Sequence, residues 1–123
     1  MSEKRLIVEG SGNGKPACFL IDTGASVALM NDCARKEYGL KPGRKYRGTI
    51  VGAGGEMCGI RHCDTFVQFH GKTIPQFLLA DIGGVVKSIK KETGIEILGI
   101  ISLPQLKMCG IGLDCNDNEI IIE

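Results

Sequence analysis

Five apolar residues in a row, Ala17-Cys18-Phe19-Leu20-Ile21, run directly into an aspartate, Asp22. A strand alternates its side chains between two faces, so an unbroken apolar run needs cover on both. Such a strand belongs inside a sheet, and it delivers a carboxylate where the run stops. Upstream, Leu6-Ile7-Val8 reads as a strand and Gly10-Ser11-Gly12-Asn13-Gly14 as a turn cluster, which together predict a hairpin. Eighteen glycines in 123 residues favour many turns and short strands over long helices.

The remaining chain extends this pattern. Asn31 or Asp32 is placed to cap a short helix through about Tyr38, with Gly39 as its left-handed stop. Strands are expected over 46–52 and 58–69, flanking Gly52-Ala53-Gly54-Gly55, and over 74–80. Residues 85–93, followed by Gly94, fit a helical turn or a loop. Ile95-Glu96-Ile97-Leu98 reads as a strand, and Pro104 suits the first turn of a short helix ending at Gly110. Residues 111–113 and 119–122 form a hairpin around Asn116-Asp117-Asn118. The expectation is a single domain over 1–123, mainly β, small and closed, with one or two short helices.

Composition removes several functions. A net charge of +1 gives no electrostatic footprint for nucleic acid. The basic residues Arg44, Lys45, Arg47, Lys87, Lys90 and Lys91 read as a solvated face. No apolar run approaches the roughly 20 residues of a membrane span, so no membrane partner is expected. Leu6-Ile7-Val8 is too short for the apolar stretch of a secretory signal, so the expected address is cytoplasmic. There the six cysteines are expected as thiols, mainly small apolar fillers. A metal set could be drawn from Cys58, His62 and Cys63, with Cys109 and Cys115, but no CxxC pair exists. No metal and no cofactor are expected. Glu9 and Pro16 spoil a phosphate loop at Gly10–Lys15, and Met57 spoils a dinucleotide fingerprint after Gly52. His62 and His70 fall in strand-like segments and read as structural.

The chemistry lies in Asp22-Thr23-Gly24-Ala25-Ser26. The triplet Asp-Thr-Gly alone would arise by chance in about one chain in a hundred of this length. The apolar lead-in narrows that considerably. Thr23 offers a hydroxyl and Gly24 permits a sharp turn with close backbone approach. Burying one carboxylate there is costly. Two that face each other share a proton, because like charges about 3 Å apart do not both ionise. The charged one then serves as base toward water, and the protonated one donates to a carbonyl. The plain alternative is a turn after a strand, where Asp and Gly are favoured.

This run resembles the active-site motif of retropepsins, the retroviral-type aspartic proteases, and of their cellular and bacterial relatives. Ile50-Val51-Gly52-Ala53-Gly54-Gly55 resembles the glycine-rich flap that closes over substrate. Ile97-Leu98-Gly99, followed by a short helix and a last strand, resembles the second hydrophobic-hydrophobic-glycine element beneath the catalytic loop. The resemblance spans nearly the whole chain. It implies a retropepsin-like barrel and an endopeptidase acting on an extended polypeptide. Asp22 would be catalytic, supported by Thr23 and Gly24. Ala25, Ser26, Gly52, Ala53, Gly54 and Gly55 would contact substrate. Pepsin-type enzymes carry two such motifs in a longer chain. Here there is one, which implies a homodimer with Asp22 from each copy. The contrasting class is an inactive member serving as a dimerisation or peptide-binding module.

Two departures stand out. Ser26 and Ile100 occupy the positions where viral members usually carry an acidic residue and an arginine that pair near the dimer contact. The segment 83–94 is longer than in compact viral enzymes. Its Val85, Val86 and Ile89 must cover either the substrate cleft or the body of their own domain.

Overall fold

The computed structural model describes residues 6–22, 27–48, 51–52, 55–56, 59–64, 67–69, 71–74, 77–114 and 119–122. Strand β1 (Ile7–Gly12) and strand β2 (Lys15–Asp22) form the expected hairpin, pairing from Ile7↔Leu20 to Gly12↔Lys15. Its two-residue turn has φ of 52° at Asn13 and 79° at Gly14, the left-handed pair that matches strand twist. Strand β3 (Ala28–Asn31) follows, then a 3-10 turn (Asp32–Ala34) and helix α1 (Arg35–Tyr38). Asn31 accepts from Cys33 N at 3.2 Å, and Gly39 stops the helix at φ 61°, both as the sequence predicts.

Next come β4 (Pro42–Lys45), β5 (Val51–Gly52), β6 (Gly55–Glu56), β7 (Arg61–Cys63), β8 (Val67–Phe69), β9 (Lys72–Ile74) and β10 (Phe77–Ala80). The chain ends with helix α2 (Gly83–Thr93), β11 (Gly99–Ser102), helix α3 (Leu103–Met108), β12 (Ile111–Asp114) and β13 (Glu119–Ile122). One nine-stranded sheet runs β4-β7-β10-β3-β11-β2-β1-β8-β9, while β5-β6 and β12-β13 are separate hairpins. The sheet is therefore open among the described residues: β4 and β9 end the order rather than closing a barrel. Pairing is parallel at β10–β3 and β11–β2 and antiparallel elsewhere.

The period of two along each strand builds two cores. Ala17, Phe19 and Ile21 of β2 join Ala28, Met30, Phe77, Leu79 and Ile101 on one face. Leu20 joins Leu29, Leu78, Ala80 and Ile100 on the other. This is the double cover that the unbroken apolar run requires.

Helix α2 supplies much of the second cover. Val86 and Ile89, three apart and so on one helical face, are buried in that core with Ile60, Ile82 and Ile97. The N–H of Gly83 bonds the Asp81 carboxylate at 3.0 Å, and Gly94 ends the helix at φ 79°. Residues 83–94 thus belong to the domain's own body, which decides between the two expectations for Val86 and Ile89. Val85 stays 40% exposed.

A second correction concerns Ile95-Glu96-Ile97-Leu98, which is not a strand. Ile97 and Leu98 are buried, and Leu98 threads between β2 and β3 by single bonds from Leu98 N to Cys18 O and from Asn31 N to Leu98 O. The ladder starts only at Gly99.

The cysteines only partly behave as fillers. Cys63 is buried, Cys18 and Cys109 are half-buried, and Cys33 is exposed. All four are free thiols; Cys58 and Cys115 lie outside the described residues. Among the described residues no set of His, Cys, Asp and Glu could hold a metal, and no helix is long and apolar enough to cross a membrane.

If α2 is core, Ile89→Ala should cost about 2–5 kcal/mol by urea unfolding, whereas Val85→Ala should stay within about 0.5 kcal/mol. Equal small losses would return the segment to the surface.

Candidate active site

Asp22 is the last residue of β2, and it is exposed although Phe19, Leu20 and Ile21 before it are buried. Its strand is held on both sides. Ile21 N bonds Leu6 O at 2.9 Å on the β1 side. On the β11 side the parallel ladder sets Ile21 beside Ile101 and Asp22 beside Ser102. A carboxylate at the end of a strand so fixed has little freedom of position.

Gly99 explains the hydrophobic-hydrophobic-glycine element physically. It opens β11 between Phe19 of β2 and Met30 of β3. A Cβ there would lie 2.5 Å from the Leu29 carbonyl oxygen and 3.0 Å from Met30 Sδ. Only a glycine lets β11 wedge between the two strands. Ile100, next in line, is buried against Leu20 and Leu29. An arginine in its place would bring an uncompensated charge into an apolar core.

The buried polar groups here were not anticipated. Ser102 is fully buried and Gln105 nearly so, and the Ser102 hydroxyl donates to Gln105 Oε1. Ser102 is itself the register partner of Asp22 and the N-cap of α3, in whose first turn Gln105 lies. Ser102-Leu103-Pro104-Gln105 has the spacing of a capping box before a proline-initiated helix, a signal present in the sequence. Here the two side chains bond each other, and the serine makes no cap bond to the backbone. No described buried side-chain N or O lacks a partner.

The other candidate residues are less fully placed. Thr23, Gly24, Ala25, Ser26, Ala53 and Gly54 lie outside the described residues. Gly52 pairs with Gly55 and Val51 with Glu56, so β5 and β6 pair antiparallel. That pair is its own sheet, joined by no ladder to β2 among the described residues. His62 stands edge-on to Tyr46 with ring centres 5.7 Å apart, and His70 is outside the described residues.

Away from Asp22, the exposed Cys33 thiol donates to Asp81 Oδ1 at 3.4 Å. That bond, with lesser help from burial and from the Asp81 and Asp32 charges, raises the thiol pKa. Asp81 is lowered, first by the Gly83 N–H and then by the Cys33 thiol.

A family model described as aspartyl protease matches residues 8–95, from β1 through α2. The chain belongs to the aspartyl protease family. Solved structures agree on the fold of this family member. The EIAV protease, solved with an inhibitor, matches at TM-score 0.64 and 25% identity, over 91% of this chain and 94% of that one. The retroviral protease-like domain of Ddi1 from Leishmania major matches at TM-score 0.64 and 24% identity, over 99% and 90%. A retropepsin-like aspartic protease from Rickettsia conorii matches at TM-score 0.53 and 17% identity, over 89% and 76%. No curated protein matches. The fold is retropepsin-like, mainly β with few short helices, as the sequence resemblance implies.

For this aspartyl protease family member, Gly99→Ala should lower stability by about 1–3 kcal/mol, read from the urea midpoint, because the intruding methyl meets backbone. An unchanged midpoint would show that β11 and β3 have room to part.

Proposed function

We propose that the chain is an aspartic endopeptidase that hydrolyses extended polypeptides as a homodimer, with Asp22 from each copy forming one catalytic pair. The observation that carries this is a single Asp-Thr-Gly run at the exposed end of a doubly buried strand, in a chain of the aspartyl protease family. One copy brings one such carboxylate, and the chemistry requires two.

In the pair, one Asp22 is ionised and the other protonated, since adjacent like charges disfavour double ionisation. The ionised carboxylate takes a proton from a bound water as the water oxygen attacks the scissile carbonyl carbon. The protonated carboxyl gives its proton to the carbonyl oxygen. The resulting gem-diol collapses with cleavage of the C–N bond: the Asp22 that took the water's proton gives it to the leaving nitrogen, and the other takes a proton back from a diol hydroxyl, which restores the singly protonated pair. Thr23 and Gly24 would hold the carboxylates in position. Ala25, Ser26 and the hairpin from Gly52 to Gly55 would contact substrate, the hairpin closing over it to exclude water. No cofactor enters the reaction. A reducing, cytoplasmic setting belongs to the same proposal, and Cys18, Cys33, Cys63 and Cys109 would stay thiols in it.

The test is turnover of an unbiased peptide library. Wild-type chain should cleave, with specific activity falling on dilution as dimers separate. Asp22→Asn, nearly isosteric, should lose at least about a thousandfold in rate with its melting temperature retained. Undiminished cleavage by Asp22→Asn would remove Asp22 from the mechanism. Full specific activity at high dilution would contradict the dimer. No cleavage by the wild type under any condition would favour the non-catalytic module.

A further inference from the structure

We propose that the edge of the sheet at β4 is a docking site for an acidic, extended segment of a polypeptide substrate. The inference rests on the protease reading for its consequence, substrate choice, while the docking itself is a binding event.

β4 is the first strand of the nine-stranded order, and among the described residues it pairs only with β7. Arg44 and Lys45 on this strand and Arg47 just beyond it are exposed. With Tyr46, Gly48 and His62 they line a cleft of about 860 Å³. None of these lining residues is acidic, and none of the three cations has a carboxylate partner among the described residues. The Asp64 carboxylate lies against Gly43, the residue before Arg44.

The floor of the cleft is built. Tyr46 is half-buried against the second core, its N–H bonds Ile60 O at 2.9 Å, and its ring meets His62 edge to face. Arg61 Nε donates to Gly43 O at 2.9 Å, which braces the irregular stretch between Pro42 and Lys45. Tyr46 and Gly43 are therefore held in place beside three exposed cations that have no carboxylate partner among the described residues.

Three cations within four positions, in a molecule of net charge +1, make a strong local excess. Across a Debye length of about 8 Å at physiological salt, an incoming chain senses this excess more than the whole molecule. An edge strand also offers unpaired N–H and C=O groups, which match a peptide backbone and not a nucleic acid. A nucleic-acid site would call for a broader basic field and an open aromatic face, and the Tyr46 ring is engaged with His62. Position adds a functional link, because Gly48 precedes by three positions Val51, which opens the β5–β6 hairpin. A segment seated at β4 would engage the stretch of chain that leads, within a few residues, into the hairpin proposed to close on the scissile bond. The competing role for edge charges is to repel other edges, which binds nothing.

The test uses the full chain carrying Asp22→Asn and a fluorescent peptide with glutamates at alternate positions, followed by anisotropy. The glutamate peptide should bind at least about tenfold more tightly than its glutamine counterpart. Arg44→Gln, Lys45→Gln and Arg47→Gln combined should abolish that difference with an unchanged melting temperature. Lys87→Gln, Lys90→Gln and Lys91→Gln combined should leave it intact. Equal binding of the two peptides would overturn the proposal, as would an equal loss in both triple variants. A single-stranded DNA of matched charge that binds more tightly through Arg44, Lys45 and Arg47 would also overturn it. The Asp22 carboxylate is absent throughout, so these outcomes stand apart from whether the wild type hydrolyses peptides.

Discussion

Everything at the candidate site depends on how β11 lies beside β2. The parallel ladder from Gly99↔Phe19 to Ser102↔Asp22 ties the strand that ends in the aspartate to the strand that enters α3. That ladder forms because Gly99 lets β11 approach β3 to a distance no side chain would tolerate. The same strand then carries Ile100 into one core and Ile101 into the other. Asp22 therefore stands at the rim of a doubly covered sheet, exposed while the residues that fix it are buried. Under the proposed function, a backbone so held would preorganise that carboxylate for chemistry.

Two features distinguish this chain from the viral pattern its motifs resemble, and both involve the second core. Ile100 replaces a charge with an apolar side chain packed on Leu20 and Leu29. Helix α2 adds Val86 and Ile89 to the same cluster. The domain thus gains apolar burial in its second core from both features. Buried apolar replacements for ion pairs are commonly neutral or stabilising.

Much of this was legible in the residues, for identifiable reasons. Asn13-Gly14, the Asn31 cap, Gly39, Gly94 and Pro104 each act through local backbone geometry, which sequence states directly. The run into Asp22 specified a doubly buried strand because the period of two leaves no other arrangement. What sequence hid was pairing. Ile95-Glu96-Ile97-Leu98 is apolar enough to be buried, but apolarity reports burial and not hydrogen bonding, so the ladder begins one residue later than the run ends. Helix α2 begins with two glycines and buries only Val86 and Ile89, too weak a period to separate helix from loop. The open order of the sheet depends on which distant strands meet, which local patterns do not encode. The Ser102–Gln105 pair was visible as a spacing, but its burial beside Asp22 required the register.

Under the proposed function one active site draws an Asp22 from each of two copies, and mixing two kinds of copy tests this. Wild-type and Asp22→Asn chains are unfolded together, refolded at constant total concentration, and assayed for peptide cleavage across the mixing range. If both carboxylates are needed, activity follows the square of the wild-type fraction and is about one quarter at equal amounts. A linear fall, to about one half at equal amounts, would mean that each copy works with its own Asp22 alone and would contradict the account.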